Sequence, residues 1–218
     1  LHYKMKLKNE VPITHSHINK LFDEKEVFVL GYGSLLYSSG WMQRDMARVP
    51  RKSDLTECVV KGYERGPYGL YYPGNNFKQY GIHFYGVVPE ASCSLNGVLV
   101  KIHSMKDWIN LMATECIAGI RENYNYRCVD VTSSVRGIKL KKNQVVHMVA
   151  NEPQNKVNWQ KCKPAPKYYD RVATGVKRER SAKFKHMFYS TGGYSLEQAK
   201  SMYRDSRSKT NRWYIGGY

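Results

Sequence analysis

The sequence predicts an α+β fold built as one domain with decorated ends. Three observations carry this. Short apolar, β-branched and aromatic runs recur along the chain between Gly, Pro and polar turns. The stretch "SMKDWINLMATECIAG", Ser104 to Gly119, switches to helical periodicity. A second stretch, Ala165 to Ser190, has long helical potential, and neither repeats nor an interdomain linker divide the chain.

The elements come in this order. Residues 1–26 are polar and read as an N-terminal arm or short helix. Val27 to Leu30 is a strand that ends in Gly31, Tyr32, Gly33 and Ser34. Trp41 to Arg48 reads as a short helix, and Leu55 to Tyr63 as a strand before a loop punctuated by Gly62, Gly66, Pro67, Gly69, Pro73 and Gly74. Gly81 to Val88 and Leu95 to Ile102 read as two strands joined by a turn. In the next helix, Ser104 is the cap and Asp107 completes a weak capping box. Trp108, Leu111, Met112 and Glu115 share its apolar face, and Gly119 is the stop. Tyr126 to Thr132 and Gln144 to Ala150 are the last strands. The organisation expected is therefore an arm (1–26), a domain (27–190) and a basic, partly mobile tail (191–218).

Composition narrows the function classes. Of 218 residues, 42% are hydrophobic, which excludes global disorder. The formal charge of +17 creates a field that attracts polyanions or acidic small molecules, and the basic residues are densest in the C-terminal third. The 18 tyrosines suit either a Tyr-rich β-core or aromatic-walled pockets. Five cysteines without Cys-x-x-Cys spacing fit free thiols in a reducing compartment, with no zinc site. His15 and His17 lack partners at metal-ligand spacing. No window reaches the roughly 18 to 20 apolar residues of a membrane span. The N-terminus has no apolar segment of a secretory signal. An intracellular location is expected, in the cytoplasm or in an organelle after loss of a targeting peptide.

Three features carry chemistry. "GYGSLL", Gly31 to Leu36, has no third glycine for a dinucleotide fingerprint and is no nucleophile elbow. Two readings stand: a backbone nest for a carboxylate or oxyanion, or a strand-ending turn with glycine at positive φ. Glu115 puts a carboxylate on an apolar helix face, which demands protonation or a partner. It is either a proton-transfer group or half of a structural salt bridge with Arg121 or Arg127. "KPAPKYYDRVATG", Lys163 to Gly175, places prolines before a helix that opens on a tyrosine.

In this order the three resemble the γ-glutamylcyclotransferase family, with its ChaC-type and γ-glutamylamine cyclotransferase relatives. Tyr32-Gly33-Ser34-Leu35 matches the family's glycine loop, and Leu95-Asn96-Gly97-Val98-Leu99 its later strand. Leu111 and Glu115 match the helix with the catalytic Glu. Tyr124 or Tyr126 matches the family's next tyrosine, and Val129-Asp130-Val131 its next strand. Pro164-Ala165-Pro166-Lys167-Tyr168 and Gly175 match the closing segment. The resemblance spans Val27 to Ser190; Cys116 stands where the family often has Gly. It implies a small, bent β-barrel with flanking helices and no metal or organic cofactor. It also implies cleavage of a small γ-glutamyl amide to 5-oxoproline and an amine. Glu115 would be catalytic, with Tyr32, Gly33, Ser34, Leu35 and Tyr168 binding the substrate and Ser34 positioning rather than attacking. The alternative is a catalytically silent or moonlighting domain of this kind, serving as a basic binding or structural subunit in a nucleoprotein assembly.

Overall fold

The computed structural model describes residues 7–12, 14–71, 81–115, 126–165 and 167–207. Strand β1, Glu26–Gly31, lies inside a seven-stranded mixed sheet. It runs antiparallel to β3, Ile82–Ile102, and parallel to β6, Gln144–Asn151. Val27, Val29 and Leu30 are buried because both edges and both faces of this strand are covered. Beyond β6 lies β4, Tyr126–Asp130; beyond β3 lie β2, Thr56–Tyr71, and the short β5, Val135–Arg136. The two-residue β7, Lys163–Pro164, adds to β3 in parallel. Together they form a curled half-barrel flanked by helices, the α+β class expected.

The long β2–β3 pair corrects two expectations. The Gly- and Pro-rich stretch after Tyr63 continues β2, bent by register shifts between Lys61 and Tyr63 and between Gly66 and Gly69. The two strands expected at 81–102 are one. Its Pro- and Ser-containing middle bulges out of the ladder, whose register passes from Lys61↔Ser94 to Tyr63↔Pro89. A polar bulge and a turn look alike in sequence. Residues 72–80 lie outside the described residues.

Helices pack on this sheet. Within the N-terminal segment, Leu7 and Val11 are buried, Val11 N–H donates to Cys128 O, and Glu10 bridges to Val129. Thr14 then caps α1, His15–Glu24, which buries Ile18. Helix α2, Met105–Thr114, is capped by Ser104 and buries Trp108, Leu111 and Met112; Gly119 lies outside the described residues. A short α3, Asn155–Asn158, covers β2. The long C-terminal helix expected is split into α4, Tyr168–Glu179, and α5, Ala182–Ser190, because Ser181 caps α5 by accepting from Phe184 N–H. Helix α6, Leu196–Arg207, occupies the start of the expected tail. Ser195 and Gln198 exchange hydrogen bonds at its start, and Ala199 is buried. Cys58 and Cys128 are core thiols; burial pushes Cys58 up to about 12, unsuited to nucleophilic work. No described helix is long and apolar enough to cross a membrane.

Candidate active site

Strand β1 delivers the glycine loop to the sheet's rim. Pairing with β3 ends at Gly31↔Val98, and Ser34 to Leu36 form one 3-10 turn with Leu36 N–H donating to Gly33 O at 3.0 Å. Neither glycine has positive φ, so the turn expected on that ground is not what the residues are for. Close approach explains them. A Cβ on Gly33 would lie 2.6 Å from the Tyr168 hydroxyl, and one on Gly31 would lie 2.5 Å from Leu35 Cβ. Leu35 and Leu36 are buried in the core, and the Trp41 indole donates to Leu35 O at 3.0 Å. Leu35 thus shapes the loop through packing and backbone.

Helix α2 brings Glu115 to this loop. Its buried face of Trp108, Leu111 and Met112 fixes the helix, and Glu115 is the residue that closes it, its N–H donating to Leu111 O at 3.0 Å. The carboxylate has a cationic partner, but not the one expected. Arg127 is engaged by Glu10 and Glu152, and Arg121 lies outside the described residues. The partner is Arg44, whose Nη2 lies 2.9 Å from Glu115 Oε1. The same Nη2 donates to Ser34 Oγ at 2.9 Å. Arg44 therefore ties Glu115 to the glycine loop.

The segment that carries Arg44 is not the short helix expected at 41–48. Past the 3-10 turn that ends at Trp41 it is irregular, and Asp45 adopts φ 48°. Helix α2 holds it there. Asp107 accepts from Ala47 N–H at 2.8 Å, and Asn110 donates to Asp45 O at 2.7 Å. Asp107 thus serves this segment with its carboxylate, while its own N–H takes the Ser104 cap.

Helix α4 supplies the opposite wall. Tyr168 opens the helix, its hydroxyl against Gly33 and hydrogen-bonded with the Ser34 backbone. Its ring packs edge-on to Phe84 at 4.9 Å and to Tyr169 at 5.1 Å. The other end of α4 is tied to the same region, since Ser38 N–H and Oγ both donate to Glu179. Burial, then the Glu115 charge, pushes the Tyr32 and Tyr168 phenols upward. Both phenols stay protonated, and the Tyr168 oxygen accepts from Ser34 N–H. Arg65 lies within electrostatic reach of Tyr32, Tyr85 and Tyr168, and burial lowers it to about 10. It donates to Asn96 and Thr191 and lies 4.6 Å from the Phe188 ring centre.

Tyr32, Gly33, Ser34, Glu115 and Tyr168 thus come together from β1, α2 and α4. Arg44 completes the group and escaped the sequence reading. The only signal for it was the demand of Glu115 for a cation, which singles out no particular arginine.

No protein-family profile and no curated protein matches the chain. Among solved structures, a γ-glutamyl cyclotransferase is similar at 13% identity and a TM-score of 0.51, over 83% of this chain and 99% of its own. An uncharacterized protein from Homo sapiens has the same identity and coverages, with a TM-score of 0.49. A γ-glutamyl cyclotransferase specific to glutathione, from yeast, is 12% identical over 84% of this chain and 100% of its own, with a TM-score of 0.43. The first likeness shows the fold: this chain has the curled α+β architecture of a γ-glutamyl cyclotransferase.

Proposed function

We propose that the protein is a γ-glutamyl cyclotransferase that releases 5-oxoproline and an amine from a small γ-glutamyl amide. The observation that carries this reading is the convergence of Glu115 with the Tyr32–Leu35 loop, joined through Arg44. The reaction is intramolecular aminolysis. Glu115 takes a proton from the substrate's α-ammonium. The freed amine attacks the γ-carbonyl carbon, and a C–N bond closes the five-membered ring. The tetrahedral oxyanion then collapses, the bond to the leaving amine breaks, and Glu115 returns the proton to that amine. Backbone N–H groups of the loop other than those of Ser34 and Leu36, which Tyr168 and Gly33 O engage, stabilise the oxyanion, a term worth about 3 kcal/mol per donor. The loop and Tyr168 hold the flexible chain folded on itself, so that proximity supplies much of the rate.

The test is direct. The protein is incubated with γ-glutamyl dipeptides, glutathione and γ-glutamylamines, and 5-oxoproline is measured by mass spectrometry. Product from at least one class, lost in Glu115→Gln, supports the reading. No product from any, with no difference between the two proteins, overturns it.

A second reading, a basic binding or structural subunit, draws on the charge of +17. Lys177 and Lys183 stand exposed on α4 and α5, and Lys200 on α6. The two readings are compatible, because the residues around Glu115 and these exposed lysines are different parts of one fold.

A further inference from the structure

Three polar atoms at or beside the site are buried without a hydrogen-bond partner among the described residues: Nε of Arg44, Nε of Arg65 and Oε1 of Glu115. The contact between Arg44 Nη2 and Glu115 Oε1, 2.9 Å long, brings the charges together but lacks hydrogen-bond alignment. An unaligned ion pair with a donor and an acceptor both unused is poor as a structural bridge. It suits a receptor whose two halves are meant for something else. The unused donor calls for an anion, and the unused acceptor calls for a cation with protons to give.

We propose that Arg44 is the receptor for the substrate's α-carboxylate, exchanging Glu115 for that carboxylate as the α-ammonium takes Glu115. The inference rests on the cyclotransferase reading and names what the site requires of its substrate: a free amino-acid head group. An α-ammonium and an α-carboxylate sit on one carbon, so a ligand of this class offers both charges within the span of one guanidinium–carboxylate contact. Nε and Nη2 share one edge of the guanidinium, the edge on which a carboxylate binds side-on through two hydrogen bonds. That edge now holds the unused Nε and the oblique contact to Glu115.

The surroundings support the exchange. Ser34 holds Nη2 at the glycine loop, so Arg44 stays in place when Glu115 lets go. Asp107 and Asn110 dock its segment on α2, the helix that ends in Glu115, so both charges ride on one support. The side chains are 14% exposed for Arg44 and 19% for Glu115, mostly desolvated yet reachable by a small ligand. The other nearby guanidinium, Arg65, also has a buried Nε without a partner, but both its terminal nitrogens are occupied by Asn96 and Thr191, so it cannot offer a side-on pair of free donors as Arg44 can once Glu115 lets go.

The test compares a γ-glutamyl dipeptide with its decarboxy analogue, the 4-aminobutanoyl amide of the same amino acid. The first cyclises to 5-oxoproline and the second to 2-pyrrolidinone, with the same amine released. The wild-type protein is expected to favour the carboxylated compound by about 10- to 100-fold in kcat/KM, the weight of charge-assisted hydrogen bonds. In Arg44→Gln the preference collapses toward unity, with the loss on the γ-glutamyl compound falling mainly on KM. Arg44→Lys keeps the charge without the fork and retains part of the preference. Equal losses on both compounds, or an unchanged preference in Arg44→Gln, would overturn the proposal. Calorimetric binding of L-norvaline and its decarboxy analogue n-butylamine, neither of which can cyclise, gives the same comparison without turnover, and equal affinities overturn it there too. Failure of the cyclotransferase reading is a different result: no product from any γ-glutamyl compound, whatever the binding preference.

Discussion

Arg44 and Glu115 meet at 2.9 Å, and the nitrogen that touches the carboxylate also donates to Ser34. A salt bridge on a buried carboxylate ordinarily argues for a structural role. Here the bridging cation is itself bound to the glycine loop, so pairing and convergence are the same fact. The pairing of Glu115 is therefore no argument against the proposed proton transfer.

Glu115→Gln keeps size and shape but removes the carboxylate that the proposed mechanism uses to move the proton. Release of 5-oxoproline is expected to fall by on the order of 10²- to 10⁴-fold, the usual weight of a positioned acid–base group. Circular dichroism and thermal melting should change little, since the substitution leaves the Ser34–Arg44 bond and the α2 core untouched. A variant that keeps nearly full activity would place the proton transfer elsewhere.

Gly33 and Tyr168 form a second testable pair. A Cβ at position 33 meets the Tyr168 hydroxyl at 2.6 Å, whereas the next atom, Tyr85 Cβ, lies at 3.3 Å. Gly33→Ala is therefore expected to cost about 1–3 kcal/mol of stability through overpacking. Tyr168→Phe removes the colliding oxygen. In urea denaturation the double variant should recover much of the loss, a coupling that independent sites do not show. Strictly additive losses would mean that the clash is not with that hydroxyl.

The sequence made much of this legible, but by pattern rather than by contact. The strand into Gly31, the capped helix from Ser104 and the tyrosine after Pro166 announce themselves locally. Each is a short-range regularity of propensity, capping or turn chemistry. Arg44 does not, because its pairing spans the chain from the loop after β1 to the end of α2 and leaves no periodic trace. The single strand β3 was hidden by Pro89 and the polar residues after it, whose bulge shares the composition of a turn. The break between α4 and α5 was hidden because both helices bury residues at helical spacing, and only Ser181 marks the restart. Long-range pairing decides such cases, and local sequence does not encode it.

The charge of +17 predicts salt-dependent association with polyanions. If the exposed lysines of α4, α5 and α6 contact phosphates, the logarithm of the binding constant for RNA or duplex DNA falls linearly with the logarithm of salt, by about 0.7 to 0.9 per phosphate neutralised. Lys177→Glu with Lys183→Glu should reduce that slope while leaving 5-oxoproline release in place. A slope near zero in the wild-type protein removes the binding-subunit reading.

His83 predicts the acid limb of stability. Its ring is buried, Nδ1 lies 2.7 Å from the Tyr169 hydroxyl, and Trp159 packs edge-on at 5.5 Å. Burial lowers its pKa from 6.5 to about 4, so the folded chain holds it neutral. The unfolded chain takes up a proton near pH 6.5 and the folded chain does not until about pH 4. Between those values the unfolded state binds more protons, and stability falls with the pH. The stabilisation is fully present above pH 6.5 and is lost on the way down to pH 4, amounting to about 3 kcal/mol for this one group. Buried His147, lowered for the same reason, adds to the trend in the same direction. Urea unfolding at pH 7 and pH 5 should show a marked loss in the wild-type protein. His83→Gln should show a shallower one, because a glutamine carries no proton to gain. An identical pH dependence in the two would mean that His83 is protonated in the folded chain as readily as in the unfolded one.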